Sequence, residues 1–137
     1  MDRDDALLRL GRARAGRLAT VDGRGRPHVV PFVFALDGMT IYWAVDSKPK
    51  RSTELKRLSN LRANPAADVV VDHYTEDWSA LWWVRASGNG RVVEDQAESG
   101  RARVLLAEKF PQYREMPPPG PVVAIDLDRV SWWSASE

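Results

Sequence analysis

Gly16-Arg17-Leu18-Ala19-Thr20-Val21-Asp22-Gly23-Arg24-Gly25-Arg26-Pro27-His28-Val29-Val30-Pro31-Phe32-Val33-Phe34-Ala35-Leu36 reads as two strands and the turn between them. The flanks are rich in β-branched and aromatic residues, which suit a pleated sheet. Asp22-Gly23-Arg24-Gly25 offers glycines to the tight hairpin turn that joins them. Pro31 falls inside the second run. Having no N–H to give to a ladder, it implies a sheet edge, a bulge or a barrel corner.

Working outward, Asp37-Gly38 makes a second turn into Thr40-Ile41-Tyr42-Trp43-Ala44-Val45, so three consecutive strands predict a meander. Upstream, Ala6, Leu7, Leu10 and Ala13 recur at helical spacing across Asp4–Arg14, with acids first and arginines later as a helix dipole favours. Downstream, Leu55, Leu58 and Leu61 share one face of a helix over 49–63 that Asn64-Pro65 stops, and 67–74 returns to strand. Thr75-Glu76-Asp77 makes a loop. Residues 81–94 form a long strand or strand pair interrupted at Gly88-Asn89-Gly90, where glycine marks a bend or bulge of the kind that builds barrel corners. A helix over 96–110 uses Val104, Leu105 and Ala107 and is weakened by Gly100. Pro117-Pro118-Pro119-Gly120-Pro121 is a stiff connector to a last strand, 122–133. This order has no repeat and no doubly wound alternation. It predicts one α+β domain over 1–137, mainly β, an antiparallel barrel with helices filling its gaps.

With 137 residues, 44% of them hydrophobic, the chain suits a single core. Twenty lysines and arginines against 19 acids leave a net charge of +1, which excludes a global field for nucleic acid or an acidic membrane. There is no cysteine, hence no disulfide framework, thiolate metal site or cysteine nucleophile. His28 and His73 lack partners at ligand spacing, so no metal is expected. The acidic start, Met1 to Asp5, is unlike a secretory signal, and no apolar run approaches a membrane span. A soluble, cytoplasmic protein is the expectation.

Two local features depart from this balance. Three of the four lysines, Lys48, Lys50 and Lys56, lie within nine residues, beside Arg51 and Arg57. Cations at a helix start oppose its dipole, whereas a bound anion reverses the sign. Free N–H groups, the hydroxyls of Ser47, Ser52 and Thr53 and these cations then make a phosphate cradle. The other reading is a solvated basic helix start paired with Asp46 and Glu54. Secondly, the six tryptophans fall on strands or at their ends, fitting either ligand and subunit contacts or core filling. Alternation points Trp82 opposite to Trp83, and puts Trp83 and Arg85 on one face. His73 and Tyr74 are possible proton donors. No nucleophile elbow or glycine-rich nucleotide fingerprint is present, and no catalytic residue is assigned.

Taken together, Gly16–Val21 with Arg26–Pro31, Asp46-Ser47-Lys48-Pro49-Lys50-Arg51, Asn60–Pro65, and Asp72-His73-Tyr74 followed by Trp78–Arg85 resemble the pyridoxamine 5'-phosphate oxidase-like split-barrel superfamily. They are most similar to its actinobacterial branch of deazaflavin (coenzyme F420)-dependent oxidoreductases. The resemblance covers nearly the whole chain. It implies a homodimer with cofactor sites at the subunit interface. Lys48, Lys50, Arg51 and Ser52 would then hold the cofactor phosphate, with Lys56 or Arg57 toward an acidic tail and Val30, Pro31 and Phe32 along the ring. Trp78, Ser79, Trp83 and Arg85 would come from the other subunit, and Trp132 would cover the cofactor edge. Flavin-binding oxidases of the family commonly carry glutamine where Trp83 stands. The C-terminal Ser131-Trp132-Trp133-Ser134 lacks the arginine and histidine that recognise pyridoxine phosphate, which argues against vitamin-phosphate oxidation. The implied activity is hydride transfer from reduced deazaflavin to an activated double bond of a small organic substrate. The alternatives are an FMN-binding oxidoreductase of the same fold and a non-catalytic F420 carrier or sensor. A nucleic-acid-binding barrel is disfavoured by the balanced charge.

Overall fold

The computed structural model describes residues 1–46 and 51–136, with only the backbone course given for 51–55. Chain order is α1 (Arg3–Arg12), β1 (Gly16–Val21), β2 (Pro27–Phe32), β3 (Ala35–Asp37), β4 (Thr40–Ala44), α2 (Arg51–Ala63), β5 (Ala66–His73), a short turn of tight helix at Trp78–Ala80, β6 (Trp82–Val92), α3 (Gln96–Lys109), α4 (Gln112–Glu115) and β7 (Val122–Ser134). The strands form one antiparallel sheet in the order β2-β1-β5-β6-β7-β4-β3.

That order requires a barrel. Laid flat, seven strands would hold the edge strands β2 and β3 about 29 Å apart. Yet only Val33 and Phe34 separate them in the chain, a link that reaches at most about 11 Å from Phe32 to Ala35. The sheet therefore curls until its edges meet. They share no ladder, so the barrel is split along that seam.

The expected meander is thus corrected. The run 27–36 breaks at Val33–Phe34, and its halves serve opposite edges, β2 pairing with β1 and β3 with β4. Pro31 lies on the edge strand β2, where a missing N–H costs no ladder bond. Of the two forms expected for 81–94, the long strand holds, and the glycines near 88 mark a bulge in it. β6 runs unbroken from Trp82 to Val92, with a register shift between Ser87 and Gly88 where β7 carries the extra residue Asp128.

The barrel interior is filled by Leu18, Ile41, Val69, Val71, Val84, Val123 and Ile125, all essentially buried. Each contributes roughly 1.5–3 kcal/mol by leaving water. α1 adds Ala6 and Leu10 to this core and packs on β3, β6 and β7. An Asp2–Asp5 capping box begins this helix. α2 packs on β1 and β6, adding Leu58 and Leu61 to the core, and Asn60 donates to Thr20 Oγ1 at 3.0 Å. α3 lies outside, over β3, β4 and the first half of β7. Those strands are buried on both faces, which is why Ile41-Tyr42-Trp43-Ala44 and Val122-Val123-Ala124-Ile125 read as unbroken apolar runs. The face of α3 that does this is Ala102, Leu106 and, just beyond its end, Phe110. The expected face of Val104, Leu105 and Ala107 was rotated: Val104 is 58% exposed. Four successive apolar residues, 104–107, span a full turn and leave the phase undetermined by periodicity.

Among the described residues, no helix is long and apolar enough to cross a membrane.

Candidate functional site

The outer face of β2, β1, β5, β6 and the second half of β7 lacks the helical cover that α3 gives the rest of the sheet. It exposes Val29 (61%) and Trp133 (46%). Register places its side chains in rows. Pro31 stands opposite Arg17, Arg17 opposite Val70, Val70 opposite Arg85, and Arg85 opposite Ser131. One row along, Asp72, Trp83 and Trp133 are aligned.

In this way the fold gathers part of the expected set. Arg85 lies over the Trp83 ring, 5.7 Å from its centroid, in a cation–π contact. Arg17 makes one long hydrogen bond to Gly16 O at 3.4 Å. The two arginines flank Val70, their Cα atoms about 10 Å apart by strand spacing, with no carboxylate in their row. Trp78 is 68% exposed, and its Nε1 donates to Tyr74 Oη at 3.4 Å. The Ser79 hydroxyl and N–H both donate to Asp77 Oδ1, at 2.7 and 3.2 Å, so Ser79 closes the turn. These bonds hold the Asp77 carboxyl below its ordinary pKa.

Other expected residues are placed differently. Of Val30, Pro31 and Phe32, only Pro31 points outward. Phe32 is buried, stacked on Phe34 at 4.9 Å and edge-on to Trp43 at 5.6 Å, and Val30 packs against the same core. The Phe32–Trp43 contact crosses the seam, so the end of β2 lies beside the end of β4. Lys48 and Lys50 fall outside the described residues, and Arg51 and Ser52 are described only as the start of α2. The Lys56 ammonium is 3.6 Å from the Asp22 carboxylate, which partly answers its charge. Arg57 is half-buried on the same helix. Trp132, expected over the cofactor edge, instead packs against the core and donates Nε1 to Met1 O at 3.0 Å. It stands opposite inward-facing Val84, whereas Trp133 stands opposite Trp83. Trp82 is held between Arg9 and His73.

Arg17 and Trp133 are thus site candidates that the sequence reading passed over. Alternation in Gly16–Val21 does show Arg17 leaving the core, but not which outward faces a helix will cover. Arg17 and Arg85 are separated by 67 residues and meet only through β5.

The most strongly shifted titrations lie on the covered side. Burial, then the neighbouring Glu98, pushes the Tyr42 phenol up to about 12, and its Oη donates to Glu98 at 2.6 Å. Arg91 donates to both Glu98 oxygens at 2.9 and 2.7 Å and, with Tyr42, brings the Glu98 carboxyl down to about 2. Arg91 also holds Asp126 at 2.7 Å and lowers its pKa. Lys109 is brought down to about 8, by burial and then by Arg14; its Nζ donates to Phe34 O at 2.8 Å. Among the described residues, no group of three or more histidines and acids is placed to hold a metal ion.

A seven-stranded antiparallel sheet curled onto itself, split at one seam and bearing a basic, tryptophan-rich open face, defines a split-barrel protein. The chain belongs to the pyridoxamine 5'-phosphate oxidase family, whose sequence profile matches residues 4–134. Its fold is shared by a conserved hypothetical protein of Mycobacterium tuberculosis (TM-score 0.77, 21% identity, covering 98% of this chain and 86% of that one). An FAD-binding protein of Mesorhizobium loti is similar (TM-score 0.74, 22% identity, 96% and 94% covered). So is a conserved protein of unknown function from Corynebacterium diphtheriae (TM-score 0.70, 26% identity, 96% and 93% covered). No curated protein matches the chain.

Proposed function

We propose that this protein is an oxidoreductase that binds coenzyme F420 as a homodimer and transfers a hydride from the reduced deazaflavin to an activated double bond of a small organic substrate. The observation that carries this reading is the open row Pro31–Arg17–Val70–Arg85. It sets two guanidiniums, neither in an ion pair among the described residues, on either side of Val70, with Asp68 and Asp72 next along β5 and Trp83 and Trp133 at the border. This donor set fits a flat, anionic coenzyme: the rings offer stacking area and the cations charge-assisted hydrogen bonds. Family membership and the solved neighbour named as FAD-binding support a flavin-type ligand. The basic segment Lys48–Ser52 supports a phosphate, and it follows the strand end that the Phe32–Trp43 contact sets beside Pro31.

Two features favour a second copy. Val29, Trp78 and Trp133 are large apolar groups left in water by one chain. Pro31 also lies on the edge strand β2, beside the seam where it shares no ladder with β3, so that border of the row is open to a second copy.

The coenzyme supplies the hydride. Arg17 and Arg85 anchor its negative groups, Trp83 and Trp133 exclude water from the ring, and Pro31 limits the space along β2. The groups with the largest titration shifts sit under α3, away from this face. Chemistry carried by the coenzyme, with solvent supplying the proton, accords with that.

Titration of F420 and of FMN into the wild type and an Arg85→Gln variant, followed by absorbance and fluorescence, tests the reading. The expected result is F420 binding weakened about 10- to 100-fold in the variant, the equivalent of one charged hydrogen bond. Tight FMN binding without F420 binding would replace the coenzyme assignment, and equal affinity in both proteins would remove the sheet face from it. Reduced F420 offered a panel of enones and quinones separates a reductase from a carrier, which would leave it unoxidised.

A further inference from the structure

Away from the sheet face, α3, α4 and the proline-rich connector enclose a cleft of about 420 Å³, within the range of small-molecule sites. Its walls are apolar: Val104 and Ala107 from α3, the Tyr113 ring from α4, and Pro117 and Pro118 from the connector. Arg103 and Arg114 also line it, and no acid does.

Its walls are pinned in place. Arg103 donates to Pro118 O and Gly120 O, both at 2.6 Å, clamping the connector onto α3. Gly120 donates in turn to Val45 O at 3.0 Å, so close that a Cβ there would sit 2.5 Å from that oxygen. Arg114 donates to Ala107 O and Glu108 O at 2.8 and 2.9 Å, fixing α4 to the end of α3, and Tyr113 meets Phe110 edge-on at 5.9 Å. The cleft is thus preformed by a helix, a short helix and a stiff proline run.

Both guanidiniums bond neutral carbonyls, and among the described residues neither is held in an ion pair. Each also retains donors, since a guanidinium has five N–H bonds and these contacts use two. Val104, in the cleft wall, is 58% exposed, and Met116, next in sequence to Pro117, is 78% exposed.

We infer that this cleft is a second ligand site, independent of the coenzyme face, for a small hydrophobic acid: an aryl or alkyl group against Val104, Ala107, Tyr113 and the prolines, with its anionic group at Arg103 and Arg114. The apolar lining sets the shape of the ligand and the two cations set its sign.

The probe is anilinonaphthalenesulfonate, an aromatic anion that fluoresces when desolvated, with N-phenylnaphthylamine as its uncharged counterpart. The variant is Val104→Glu, at an exposed position where folding survives, checked by an unchanged urea midpoint. The proposal expects one anionic probe bound per chain, at least about tenfold weaker in Val104→Glu, about tenfold weaker for the uncharged dye, and undisturbed by saturating F420 or FMN. Equal probe affinity in wild type and variant would overturn it. Displacement by either coenzyme would assign the probe to the sheet face instead. A change from dimer to monomer by light scattering in Val104→Glu would make the cleft a subunit contact and equally end the proposal. Failure of F420 to bind anywhere leaves these measurements intact, so the two readings fail separately.

Discussion

Replacing Gly88 and Gly90 by alanine, one at a time, separates backbone from side-chain tolerance in the strand that carries the site. A Cβ on Gly88 would lie 2.1 Å from Asp126 O, 2.8 Å from its carbonyl carbon and 2.9 Å from Leu127 Cα. All three are main-chain atoms of β7, at the bulge that lets β6 and β7 bend around the barrel. Ordinary contact needs about 1 Å more separation, which the ladder on either side resists. Losing two ladder bonds costs about 1 kcal/mol each, and the backbone distortion adds a similar amount. The expected loss is about 3 kcal/mol, or about 10 °C in Tm for a chain of this length. A Cβ on Gly90 would meet the Leu61 side chain instead, at 2.7 Å from Cδ2, and a rotamer change relieves it. Gly90→Ala is expected to cost about 1–2 kcal/mol, the lower part of the range for overpacking a core. Urea denaturation and calorimetry of the two variants read the difference. Gly88→Ala within about 2 °C of wild type, or Gly90→Ala the worse of the two, would refute the bulge geometry.

Other perturbations act on single interactions. Asn60→Ala removes the buried amide bonded to Thr20, both residues being 1% exposed, and is expected to lower the urea-derived stability by roughly 1–3 kcal/mol; an unchanged midpoint would show that bond to be dispensable. Glu98 titrates at about 2 when folded, below its ordinary value, so its contribution is present above pH 4.5 and lost as pH falls toward 2. In Glu98→Gln the urea midpoint should therefore fall less steeply over that window, and parallel pH profiles would contradict the pairing with Arg91. Lys109 has the opposite consequence. Its folded pKa of about 8 lies below the ordinary 10.5, so the unfolded chain binds more protons between these values and stability rises with pH across them. Lys109→Met should flatten that rise, as followed by denaturation at pH 7.5 to 10. On the sheet face, Arg17→Gln should weaken F420 binding as Arg85→Gln does, while Arg9→Gln, over inward Trp82, should not; three equal affinities would break the row argument.

Much of the framework was legible from local pattern. The glycine-rich turn at 22–25, the helix stop at Asn64-Pro65 and the alternation through 82–86 each depend on residues close in sequence, and the structure follows them to within a residue or two. Pro31 even signalled an edge, because a missing donor is a property of one residue. The errors share a different cause. The supposed meander turned on which strand each half of 27–36 pairs with, and the exposed Val104 on which side of α3 a neighbour covers. In an unbroken apolar run such as 104–107 or 122–125, sequence carries no record of that choice.

The site divides along the same line. Residue chemistry alone carried the proposal of an anion site, from lysines crowded where a helix was expected to start and tryptophans at expected strand ends. Strand register alone put Arg17 beside Pro31 and, through Val70, in line with Arg85. Hydrogen bonding between β1, β5 and β6 fixes those neighbours across 67 residues, and no periodicity within one strand encodes its partner. Curling was likewise a tertiary outcome, enforced by a two-residue link between opposite edges, since only the pairing order shows that Phe32 and Ala35 belong to different borders of the sheet.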